Sequence, residues 1–183
     1  MNYTYCSGNI KLKKIILLAF FIAIASAIQL YENLLLPTSL PFRVGIANII
    51  ILLVIDIFGP GEAILVAVTR SILASLLAGK LFSVPFFLGL SGGIISAVIM
   101  GLLYNRFSEL SIVGVSIVGA LTHNLTQLFV IFTFFVNNAG IFNLVPWMLL
   151  TALATGLVTG LIARFLTTHE IFRKFVMISP ENR

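Results

Sequence analysis

Charge is what this sequence has least of. Only 9% of its 183 residues are Asp, Glu, Lys or Arg, while 60% are hydrophobic. Its mean hydropathy is +1.14. A water-soluble domain of this length cannot cover its surface with so few charges. Acids are scarcer than bases, six against eleven, and there is a single aspartate, Asp56. Magnesium-dependent chemistry on diphosphates needs clustered carboxylates, because hard cations take several oxygen ligands. No such cluster occurs. The lone cysteine, Cys6, excludes an internal disulfide and any zinc site built on cysteines. Gly59-Pro60-Gly61-Glu62 lacks the lysine and hydroxyl residue of a phosphate loop. The two histidines and scattered serines form no nucleophile–base constellation. No enzyme chemistry and no cofactor are implied. Long linkers, low-complexity runs and a soluble domain are missing as well.

What remains is apolar sequence in lengths that suit a bilayer. A helix crosses the hydrocarbon with about 20 apolar residues. Six candidate spans run over about Lys14–Leu36, Pro41–Phe58, Glu62–Ala78, Val84–Tyr104, Ile112–Val136 and Leu144–Phe165. Turn chemistry separates them: Pro37-Thr38-Ser39, Gly59-Pro60-Gly61, Gly79-Lys80, Asn105-Arg106 and Asn137-Asn138-Ala139-Gly140. The expected fold is all-α, a polytopic six-transmembrane-helix bundle. A short segment, 1–13, precedes the membrane domain, 14–165, and a tail, 166–183, follows it. Sixteen phenylalanines and four tyrosines suit lipid-facing surfaces and interfacial belts.

Basic residues orient the bundle. Lys11, Lys13, Lys14, Arg106, Arg164, Arg173, Lys174 and Arg183 fall on one side if both termini are cytoplasmic, leaving Arg43 and Lys80 on the other. The positive-inside rule therefore predicts a plasma-membrane protein with both termini inside. The same rule, with the anionic inner leaflet, accounts for the net charge of +5 without nucleic acid. Lys11–Lys14, an apolar core and Ala25-Ser26-Ala27 also resemble a cleaved secretory signal. Against that reading, apolar residues continue to Leu36, and cleavage would leave five spans and break the charge asymmetry.

Transmembrane helices associate through small residues that let backbones approach. Ala19, Ala23 and Ala27 form one stripe, Gly89, Gly93, Ala97 and Gly101 a second, and Ala152, Gly156 and Gly160 a third. The last two read as packing within the bundle. The first lies among bulky neighbours and suits either packing or a partner's helix.

Polar groups at membrane depth are costly and tend to pair or to line cavities. Arg70 sits midway along its span with no acid within a turn. In LTHNLTQL, His123 and Gln127 share a helical face with Asn124 beside them. These three either clamp helices or line a pocket. Clamps contribute only about 1 kcal/mol each, so a cluster this dense is an inefficient stabiliser. Arg43 opens the second span as an interfacial anchor or a ligand contact. Asn48 follows it about 140° around the helix. Together they sketch an outward-facing pocket for a small molecule, lined by Asn48, Arg70, His123, Asn124 and Gln127, with Arg43 at the mouth. Glu32, Asn33, Asn137, Asn138, Asn143 and Trp147 are expected at its rim.

The segments GIANI, TRSILASLLAG, LSGG and HNLTQ, in this order, resemble the Gx transporter family, also labelled heptaprenyl diphosphate synthase component I. The likeness covers nearly all of residues 14–165. That family in turn resembles substrate-binding S-components of energy-coupling factor (ECF) transporters. The resemblance implies a six-helix, ECF S-component-like subunit that captures a small nutrient from outside. It would dock through first-helix small residues, here Ala19, Ala23 and Ala27, onto an ECF transmembrane coupling subunit carrying two ATPases. The enzyme label implies instead a non-catalytic membrane accessory of a prenyl diphosphate synthase or of a quinone or redox pathway.

Overall fold

A computed structural model describes residues 3–35, 45–107, 109–136 and 138–170. Among these there are helices and turns and no strand. The helices are α1 (Tyr3–Leu35), α2 (Asn48–Phe58), α3 (Pro60–Leu77), α4 (Val84–Arg106), α5 (Ile112–Phe134) and α6 (Val145–Thr168). A 3₁₀ turn, Ala139–Leu144, leads into α6. Boundaries follow local chemistry. Proline stands in the first turn of α3, α4 and α6, where no intrahelical N–H is lost. Ser111 caps α5 by accepting from the Gly114 amide at 3.1 Å. Gly59, at φ +98°, is the single residue between α2 and α3, a backbone conformation that favours glycine.

Five helical stretches are long and apolar enough to cross a membrane: Lys11–Leu34, Pro60–Leu77, Val84–Arg106, Ile112–Phe134 and Gly140–Thr168. Their outward faces carry large exposed side chains such as Ile16, Leu76, Phe129, Leu150 and Phe165. Apolar surface of that extent belongs in lipid, and the fold is that of a multi-pass membrane bundle. α1, α3, α4, α5 and α6 pack in that sequence as a wall.

α2 departs from the span expected over Pro41–Phe58. It has 11 residues, about 16 Å at 1.5 Å per residue, roughly half the hydrocarbon thickness. The run from Pro41 suggests a helix beginning there, yet Gly45 takes φ +74° and the helix starts only at Asn48. Residues 48–55 are all buried, and α2 touches every other α-helix. Between Asn48 and Asp56 it is apolar all round because it is the core, not a lipid-facing span. Ile51, Leu53, Val54 and Ile55 meet Leu18 and Phe21 of α1, Val66 of α3, Met100 of α4 and Val115 of α5 in one cluster.

Polar contacts tie the end of the bundle that carries the start of α1. Lys14 pairs with Glu62 at 2.7 Å and lies over the Phe58 ring. The Tyr104 hydroxyl donates to Asp56. The Lys14–Glu62 pair is part-exposed and contributes about 0.2–1 kcal/mol.

Candidate functional site

Because α2 begins inside the bundle, its first residue, Asn48, reaches the middle of α3. There the Arg70 Nη2 donates to Asn48 Oδ1 at 2.8 Å. Arg70 is only 2% exposed, so its charge is met inside the protein. On α5, Gln127 Nε2 lies 2.8 Å from His123 Nε2. Both residues are buried.

These groups converge. Arg70 and His123 line one small void with Gln29, Glu32, Gly45 and Gly89. Its volume is about 10 Å³, close to what the centre of one water molecule requires. Glu32 Oε1 accepts from the Ile46 amide at 2.6 Å, tying α1 to the turn that starts α2. Arg70 and Glu32, of opposite charge, thus face the same void.

Glycine makes the room. A Cβ on Gly92 would stand 2.9 Å from His123 Nδ1, and one on Gly93 would stand 3.4 Å from Arg70 Nη2. Gly89 lends its carbonyl to Ser71 at 3.4 Å. The α4 stripe Gly89/Gly93 is therefore more than helix packing: it houses the guanidinium. The α6 stripe does pack. Cβ atoms on Gly156 and Gly160 would each come within 2.8 Å of α5 backbone, at Ile117 and Val113.

The structure separates other residues from this group. Asn124, one position from His123, turns to the α5–α6 seam and donates to the Met148 carbonyl at 3.0 Å. Asn143 and Trp147 are exposed, Trp147 by 65%, and neither lines the void. Asn138 caps the 3₁₀ turn through Gly140 N, and Asn33 is half-buried. Arg43 and Asn137 lie outside the described residues. Glu32, expected at a rim, is 5% exposed. Gln29, at 4% exposed, was not apparent from the sequence. Its signal is periodicity: Leu18, Phe21, Ala25, Gln29 and Glu32 continue one buried face of α1.

Ala19, Ala23 and Ala27 are exposed on α1, away from that buried face. A second hollow of about 490 Å³, lined by Phe87, Ser91, Val130, Phe134 and Phe135, opens between α4 and α5. Its walls are almost wholly apolar. Among the described residues no group of three His, Cys, Asp or Glu is placed to hold a metal ion.

Fold and site together define a helical, multi-pass membrane protein with a charged, glycine-lined hollow in its core. Residues 21–166 match the family model described as heptaprenyl diphosphate synthase component I, and the chain belongs to that family. Neither a curated protein nor a solved structure matches it significantly.

Proposed function

We infer that this chain is the substrate-binding membrane subunit of an ECF-type transporter. It captures a small molecule from outside and depends on partner subunits for ATP-driven uptake. One observation carries the reading: Gln29 and Glu32 of α1, Arg70 of α3 and His123 of α5 meet around one small void, and Arg70 is bound by Asn48 at the start of a half-length helix. Many membrane transporters bind polar cargo where the ends of discontinuous helices meet inside the bundle. Gln127 orients the His123 ring, Asn124 holds the neighbouring seam, and Arg43 is assigned to the mouth. In this reading all six are substrate-binding or support it, no catalytic step is run by this chain, and both termini are cytoplasmic.

The exposed alanines supply the docking face for a coupling subunit with two ATPases. Ala19, Ala23 and Ala27 recur every four residues on the outer side of α1, so a partner helix can approach its backbone. The test is Ala23→Trp. Co-purification with ATPase-bearing partners should fall at least tenfold, while ligand retained in mild detergent, read by native mass spectrometry, stays unchanged. Loss of ligand with partners retained would reverse the assignment of the two faces.

The second reading is a non-catalytic accessory of a prenyl diphosphate synthase. The family description favours it, and the apolar hollow between α4 and α5 could shelter a hydrocarbon chain. Pull-down of a soluble prenyl synthase instead of ATPases would establish it.

A further inference from the structure

In and beside the void stand two polar atoms with complementary needs. Asn48 Oδ1 is taken by Arg70, which fixes the amide and turns Nδ2 the other way. Asn48 Nδ2 is buried with no hydrogen-bond partner, and so is Gln29 Oε1. Gln29 lines the void. Asn48 Nδ2 borders it through Gly45, where an added Cβ would lie 3.2 Å from that nitrogen. An orphan donor and an orphan acceptor each carry a desolvation cost of about 1–3 kcal/mol. That cost is recovered only when something enters that accepts from one and donates to the other.

The charges narrow the choice. An anion would satisfy Asn48 Nδ2 but leave Gln29 Oε1 unmet and confront Glu32. A cation would satisfy Gln29 Oε1 but confront Arg70. Both charged side chains already hold bonds, Arg70 to Asn48 and Glu32 to the Ile46 amide. We propose that the void lined by α1, the Gly45 turn, α3, α4 and α5 takes the uncharged donor–acceptor edge of an amide-like ligand, a lactam, imide or ureide, with Gln29 and Asn48 as its specificity residues. This rests on the transport reading, whose substrate it describes by class. The void has a volume of about 10 Å³, so a ligand of this class binds only as the void widens.

The test uses the full-length protein in mild detergent, with thermal unfolding as the readout. The probes are uracil, which has an imide edge, 1,3-dimethyluracil, which lacks N–H donors, and orotate, which adds a carboxylate. Uracil at saturating concentration should raise the midpoint by about 2–4 °C, and the other two should not. Gln29→Met removes an acceptor that makes no bond in the free protein, so the unliganded midpoint should hold or rise while the uracil shift disappears. A shift with orotate and none with uracil would mean that Gln29 presents its nitrogen and the site takes anions. No shift with any probe would mean that a resident water meets both atoms. Either result overturns the proposal, as does a Gln29→Met protein that keeps the uracil shift. The transport reading fails separately: a uracil shift without co-purifying ATPases leaves the ligand class standing and removes the transporter.

Discussion

At the scale of single residues, the buried cation governs. Arg70 could be read from the sequence because a lone cation in an apolar span has few ways to exist, and His123 because its turn holds three amide or imidazole groups. What the sequence could not reveal is who answers them. Asn48 is 22 positions from Arg70, and its role depends on α2 starting inside the bundle. Asn48→Leu removes an acceptor from a charged donor and should destabilise the protein by about 1.5–3 kcal/mol, measured by thermal unfolding in detergent. Gly92 was equally silent, since nothing in LSGG says that an imidazole on another helix sits against it. Gly92→Ala sets a methyl 2.9 Å from His123 Nδ1 and 3.2 Å from the His123 carbonyl oxygen. The expected cost is about 1–3 kcal/mol from overpacking, with loss of ligand binding because the ring is displaced.

At the scale of helices, the spans from α3 onward are legible to within a few residues, whereas α1 begins at Tyr3, eleven residues before the apolar run that opens at Lys14. Val84 and Ile112 begin α4 and α5 where the apolar runs begin, since each follows a serine that suits a helix start. The α2 helix is shorter than its apolar run suggests, because hydropathy alone does not distinguish a helix buried by protein from one bathed in lipid. The sign was there in Gly45, which breaks the run, and in the absence of any polar face. Small-residue stripes look alike in sequence but differ in what they touch. Gly160→Leu should destabilise the α5–α6 seam by more than about 2 kcal/mol, since even a Cβ there meets Val113 Cα at 2.8 Å. Ala23→Trp, on an exposed face, should leave the unfolding midpoint within the range of about 0.5 kcal/mol typical of surface changes. Comparing the two variants separates a seam within the chain from a face that meets something else.

For the whole molecule, composition announced the bilayer, and the distribution of basic residues predicts its direction. Cys6 is the single native thiol, so a membrane-impermeant maleimide should label it in inside-out vesicles and not in right-side-out ones. In a Cys6→Ser background, Lys80→Cys should label with the opposite sidedness. Labelling of both from one side would discard the positive-inside assignment.

The enclosure of α2 has a consequence for how the chain is made. A segment of 11 residues, surrounded by other helices on every side, offers the insertion machinery neither the length nor the lipid-facing stripe by which spans are sorted. It cannot settle until later helices have been synthesised to receive it. The core cluster around Ile51, Leu53 and Val54 therefore closes only once α5 and α6 have emerged.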